Sequence, residues 1–197
     1  MTTLEENAVV LDFLPVGKST DMTKEPLAQL LGESYFTLLE AVPKPGISLA
    51  LGERVYVGKD NRDKVDHIKG RILYDQLTNA SRNELKNAIS QIIKMREADF
   101  VGFFNRSGAI TMRLNQLELL PGIGKKHMQD ILSEREKKPF ESLADMGKRV
   151  SLLPDPVHLI EMRIEQELHG NEKYYLFARP PPQPHEYGHG FGHRRYP

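Results

Sequence analysis

The chain has 197 residues, 27 Lys and Arg against 27 Asp and Glu, and neither Cys nor Trp. The absence of cysteine excludes disulfides, thiol nucleophiles, Cys-ligated zinc and iron–sulfur clusters. Zero net charge removes the general electrostatic argument for nucleic-acid binding, so any such activity must be local.

Hydrophobic residues make up 39% of the chain, enough for a packed core in one or two small domains. No apolar run reaches the roughly 20 residues a spanning helix needs. The opening MTTLEENAVVLDFLP places acids rather than a basic stretch before its short apolar segment, so neither signal peptide nor anchor is expected and a cytoplasmic location is.

Residues 8 to 77 are predicted to form short strands broken by turns. Val9, Leu11 and Phe13 alternate with Asp12; Tyr35, Phe36, Leu38 and Leu39 make a second strand; Arg54, Val55, Tyr56 and Val57 a third; Ile72 and Tyr74 a fourth. Pro43, Pro45, Gly46, Gly52 and Gly58 supply turn residues between them. Leu27, Leu30 and Leu31 fall at helical spacing, predicting a short helix within 20–34 that ends near Gly32. The period changes at Ser81. Ser81 and Glu84 form a capping-box pattern, and Leu85, Ala88, Ile89, Ile92 and Ile93 predict a helix continuing through Ala98, Val101 and Phe104, a connector over 81–104.

From Ile110 to His169 the pattern is helical, interrupted by Pro and Gly at 121–124, 139 and 154–156. Residues 180–197 are Pro-rich, then Gly/His/aromatic, a composition that buries little surface and predicts a disordered tail.

The stretch LLPGIGKK lies between two predicted helices, one carrying Leu114, Leu117, Leu119 and Leu120, the next Met128, Ile131 and Leu132. Gly122 and Gly124 permit a tight turn whose amides face outward at a helix start, Ile123 tucks inward, and Lys125 and Lys126 add charge where a phosphate would sit. Leu120, Pro121, Gly122, Ile123 and Gly124 resemble the helix-hairpin-helix motif, whose Leu-Pro-Gly-Ile/Val-Gly hairpin contacts a nucleic-acid backbone. A partial repeat at Leu152, Leu153 and Pro154, 33 residues after Leu119, Leu120 and Pro121, replaces the glycines with Asp155 and Pro156 and is expected to be structural. Lys148 and Arg149, in the segment that links the two, are expected to extend the basic patch. Residues 106–170 nevertheless carry 10 basic and 10 acidic side chains, so binding should be modest and salt-sensitive.

SLALGERVYVGKD resembles the strand entry of OB or S1-type barrels, which bind single strands on an aromatic, basic face. Arg54 and Tyr56 share one face by alternation, with Tyr35, Lys59 and Arg71 as further candidates; half-buried tyrosines and solvated charges explain the same pattern equally well.

The segments AVVLDFLPVG, SYFTLLEAVP, GERVYVGKD and KYYLFAR, with a β-rich module, the helix at SRNELKNAI and one LPGIG, resemble an uncharacterised archaeal family of predicted RNA-binding proteins over residues 7–179. The elements and this resemblance together predict an α+β chain, with an OB-like barrel at 7–78, a connecting helix at 81–104 and a helix-hairpin-helix domain at 107–170, that binds nucleic acid; the resemblance implies no reaction, and the residues themselves suggest no catalytic, metal or cofactor site. RNA is favoured over DNA by the family resemblance alone.

The alternative is an interaction module with protein partners in transcription or translation, favoured by neutral charge. A third reading, a DNA glycosylase, rests on Asp145, about twenty residues after the hairpin, but HMQDILSEREKK is highly charged where that family has a buried small-residue helix, a strand-rich module stands where it has helices, and no base pocket is evident. His185, His189 and His193 are spaced by four, yet the intervening glycines argue against a helical metal site.

Overall fold

The computed structural model describes residues 5–19 and 24–182, an α+β chain with a curled antiparallel sheet of five strands and five α-helices. The strands are β1 (Asn7–Leu14), β2 (Leu27–Gly32), β3 (Leu38–Pro43), β4 (Arg54–Tyr56) and β5 (Val65–Arg71), in the spatial order β4-β1-β2-β3-β5. All four pairings are antiparallel, and no ladder among the described residues joins β4 to β5, so the sheet is a half-barrel.

Both faces of the central strands β1 to β3 are covered, which explains their sequence. Val9 and Leu11 of β1, Leu31 and Leu38 pack toward the helices, whereas Ala8, Val10, Ala28, Leu30, Leu39 and Ala41 fill the concave interior with Val55, Val57 and Val65. Pairing skips Leu11 between Val10↔Leu30 and Asp12↔Gln29, a bulge that moves Phe13 to the interior cluster.

The helix expected within 20–34 is instead strand β2 over its leucines; residues 20–23 lie outside the described residues. All six residues of β2 are buried, and a short continuous apolar run on a sheet covered twice over has the same sequence pattern as a buried helix. Tyr35 and Phe36 stand in the turn before β3, with Phe36 at φ 49°. The strand expected at Ile72 and Tyr74 does not form there: β5 ends at Arg71, and Tyr74 belongs to a 3₁₀ turn. Strand β5 escaped recognition because VDHIKGR buries only Val65 and exposes a polar face.

The predicted connecting helix is two helices. The first, α1 (Asn79–Met95), is capped by Thr78 rather than Ser81: Thr78 Oγ1 accepts from the Ser81 amide at 3.0 Å and donates to Asp12 at 2.6 Å. Beside it, the fully buried Gln29 donates to Glu40 Oε1 and the Gln76 carbonyl, both at 3.0 Å, and accepts from Thr78 N and Ser81 Oγ, both at 2.8 Å. Its amide is fully satisfied, tying sheet to helix. The chain breaks at Arg96 (φ −113°, ψ 27°), whose guanidinium caps the carbonyls of Glu33 and Ser34, and α2 (Glu97–Arg106) follows. Apolar periodicity crosses the break because both helices face one core.

Where an apolar helix is expected before LPGIG, the chain forms a short hairpin, β6 (Ala109–Thr111) with β7 (Leu114–Asn115), and one 3₁₀ turn over Gln116–Leu119. Asn115 caps that turn and Glu118 Oε2 accepts from the Asn115 amide at 2.9 Å, closing a one-turn capping box. Three helices follow: α3 (Lys125–Lys137), α4 (Leu143–Arg149) and α5 (Pro156–Leu168). One contiguous core runs from Val9 and Leu31 through Ile89, Ile92 and Phe104 to Leu120, Ile131, Met146 and Ile160. Packing therefore continues across the sequence boundaries at 78–81 and 104–107.

Arg163 and Glu167, 3% and 0% exposed, form a buried pair at 2.8 Å. Glu167 also accepts from the amides of Leu176, Phe177 and Ala178, while Arg163 reaches the Leu119 and Tyr174 carbonyls. This pair holds the segment after α5 in place, where Phe177 stacks edge-on with Phe100 and Phe103. Residues 180–182 have no regular structure, and the tail predicted beyond them, including its three histidines, lies outside the described residues.

Candidate nucleic-acid interface

The turn Leu120–Ile123 closes through Ile123 N to Leu120 O at 3.0 Å, with Pro121 leading and Gly122 at φ +86°. Proline followed by a residue in the left-handed region defines a type II turn, and only glycine takes that position without strain. Ile123 is 6% exposed and packs into the main core with Leu120. The hairpin is thus braced from beneath, as its sequence implies.

Gly124 differs in kind. Its φ of −90° and ψ of 179° suit any residue, and an added Cβ would meet nothing within 4 Å. It is the N-cap of α3, and among the described residues no side chain bonds the first amides of that helix. These amides, together with the helix dipole, face outward beside exposed Lys125 and Lys126. Neither lysine is ion-paired among the described residues. His127 lies beside them, its Nδ1 3.3 Å from the Gly122 carbonyl.

A second turn of the same construction precedes α5. Leu153 N bonds Val150 O at 3.4 Å, and Leu152 takes φ +58°, matching Leu120–Ile123 at an offset of 30 residues rather than the 33 of the sequence pattern. At its helix start, however, Asp155 Oδ1 accepts from the Val157 amide at 3.2 Å and Pro156 follows. The chain fills its own cap at α5 and leaves it open at α3.

The basic patch is smaller than the sequence suggests. Arg149, on α4, donates to the carbonyls of Glu134 (2.6 Å) and Lys138 (2.7 Å), pairs with Asp145 at 3.1 Å and lies 4.6 Å from the Phe140 ring centre. Its fork is committed to holding α3 and α4 together, so its place is structural. Arg135 likewise binds the Phe104 and Ser107 carbonyls. Lys148 is exposed and carries no such bonds. The Glu141 amide, and then Arg149, hold the Asp145 carboxyl below its ordinary range.

On the sheet, Arg54 and Tyr56 do share the outer face of edge strand β4, with Val55 buried between them. Arg54 pairs bidentately with Glu33 at 2.6 and 2.9 Å, a hydrogen-bonded partner that raises its pKa further, and Tyr56 donates to Asp60 at 3.2 Å. Each cation or hydroxyl there is matched by an acid. Lys59 is exposed, Tyr35 is half-buried in the turn before β3, and Arg71 binds the Pro180 carbonyl.

Sequence reasoning missed the β6–β7 hairpin, which borders the open helix start. Its turn residues Met112 and Arg113 share with Lys125 a cleft of about 550 Å³. The signal was there in part: Gly108, Thr111 and Asn115 are poor helix residues.

A family model described as "Protein of unknown function (DUF655)" matches residues 4–179. The uncharacterized protein MJ0038 of Methanocaldococcus jannaschii is 48% identical over 177 residues, which cover 89% of this chain and 80% of that protein. Af1531 from Archaeoglobus fulgidus, whose crystal structure is described as belonging to the same family model, superposes with a TM-score of 0.83 at 46% identity, covering 89% of this chain and all of that one.

Proposed function

For a chain that belongs to the DUF655 family of proteins of unknown function, we propose a nucleic-acid-binding role without catalysis, in which the hairpin at Pro121–Gly124 grips a backbone phosphate. The observation that carries it is the contrast between two like turns: Asp155 fills the helix start after one, and no side chain among the described residues fills the helix start after the other. Open amides at a helix N-terminus, flanked by two lysines with no ion pair among the described residues, match the negative charge of a phosphate and read no base edges. The doubled turn supports reading residues 107–170 as a helix-hairpin-helix unit whose first helix has shrunk to one 3₁₀ turn, and the curled sheet supports an OB-like module.

RNA is the favoured ligand, on the family resemblance. Gly122, Ile123, Gly124, Lys125 and Lys126 form the site, with Lys148 as an outlying charge. Asp145, the carboxylate at glycosylase-like spacing, is engaged by a backbone amide and Arg149, which supports binding over base excision. The matched charges at Arg54 and Tyr56 give the sheet face a lesser part.

Fluorescence anisotropy with labelled single-stranded RNA, single-stranded DNA and both duplexes, at about 50 and 200 mM salt, tests the proposal. Binding that weakens with salt and is lost in Gly124→Asp is expected. No binding to any of the four at the lower salt overturns it and turns attention to protein partners.

A further inference from the structure

The β6–β7 hairpin ends in a side chain that the fold does not use. Met112 is 104% exposed, in a hairpin that is otherwise firmly anchored. Gln116 N bonds Gly108 O and Gln116 Oε1 accepts from Gly108 N, both at 2.9 Å, while Arg135 holds the Ser107 carbonyl at 2.8 Å beneath it. At the tip, the Arg113 amide donates to Thr111 Oγ1 at 3.3 Å. A flexible thioether thus stands on a fixed support beyond the protein surface. A lone exposed apolar residue is ordinary; its neighbours distinguish this one. Met112 and Arg113 border the same cleft as Lys125, the first residue of α3, and the cleft's volume lies within the range of small-ligand sites, about 300–1,000 Å³. Neither Arg113 nor Lys125 is ion-paired among the described residues, and Glu118, the one acid lining the cleft, is bonded to the Asn115 amide.

We infer that this cleft receives the nucleotide whose phosphate rests on the α3 start, and that Met112 stacks against its unpaired base while Arg113 meets the adjoining phosphate. The inference rests on the proposed phosphate site and names the form of ligand: a single strand rather than a duplex. Inserting a side chain into a duplex requires unstacking a base step, which costs a few kcal/mol and is offset in known cases by wrapping more DNA around a basic surface. With equal numbers of acids and bases, residues 106–170 carry no net positive charge to support such wrapping. An unpaired base carries no such penalty, and stacking on it is tolerant of sequence.

Because the chain has no tryptophan, Met112→Trp introduces a single reporter. Titration with a short mixed-sequence RNA strand is expected to quench it, whereas the matching RNA duplex and a Leu51→Trp control on the sheet side give no quenching. Met112→Ala, at a fully exposed position where folding is unaffected, is expected to bind the strand roughly fivefold to tenfold more weakly, with the salt slope unchanged. Strand binding that Gly124→Asp abolishes, with no quenching of Met112→Trp and no loss in Met112→Ala, overturns the base contact and leaves the phosphate site standing. Quenching by the duplex but not the strand overturns the choice of ligand. If the wild type binds no nucleic acid, both readings fall.

Discussion

Replacing Gly124 by aspartate should make the protein more stable and less able to bind. The position already has the extended backbone of an N-cap, and the space for a side chain is empty. Aspartate in place of glycine there gains a few tenths of a kcal/mol as a cap, about 0.4–1 kcal/mol from a less flexible unfolded chain, and about 0.3–1 kcal/mol against the helix dipole. The total is about 1–2 kcal/mol, or a rise of roughly 3–6 °C in Tm for a chain of this size. The new carboxylate occupies the same amides that a phosphate would, as Asp155 does at α5. Losing one charge-assisted hydrogen bond, about 1.5–3 kcal/mol, weakens binding about 10- to 100-fold before repulsion is added. Gly122→Ala gives the opposite pattern in stability, because φ +86° strains any side chain by about 1–2 kcal/mol. Thermal unfolding and anisotropy on the same samples decide. A lower Tm for Gly124→Asp refutes the cap geometry; a higher Tm with wild-type affinity refutes the phosphate site.

Arg149→Ala should lower Tm while leaving the slope of log affinity against log salt unchanged, since its donors hold backbone carbonyls; Lys148→Ala should do the reverse, with a slope change below one. Glu167→Gln strips the charge from the buried partner of Arg163 and should cost about 3–5 kcal/mol in urea unfolding, releasing the segment around Phe177. The Asp145 carboxyl titrates below its ordinary value, held down first by the Glu141 amide and then by Arg149. Its contribution to stability is therefore full above the unfolded-state value and is lost as pH falls through the folded one. Asp145→Asn should lower Tm at neutral pH and converge with wild type in acid; a difference that persists in acid would show the carboxylate is not the cause.

The hairpin was legible because its residues answer to local rules. Proline, then glycine at positive φ, then a buried isoleucine dictates a type II turn whatever surrounds it, and Leu85 to Ile93 carries a helix through its period, although its cap is Thr78 rather than Ser81. The sequence also resembled an uncharacterised family, and that much is shown: the chain belongs to a family of unknown function with archaeal relatives. Tertiary structure decided what depends on distant partners. Leu27 to Leu31 became a strand because the interior cluster covers one face and α1 the other, a condition no window of sequence contains. Which cations are free was equally invisible: Lys125 and Arg149 look alike in a list of charges, yet one stands in solvent and the other closes on carbonyls ten to fifteen residues away. Burial and pairing are sums over the whole packed chain, whereas turns and caps are settled within four or five residues, and the site's form follows the second while its extent follows the first.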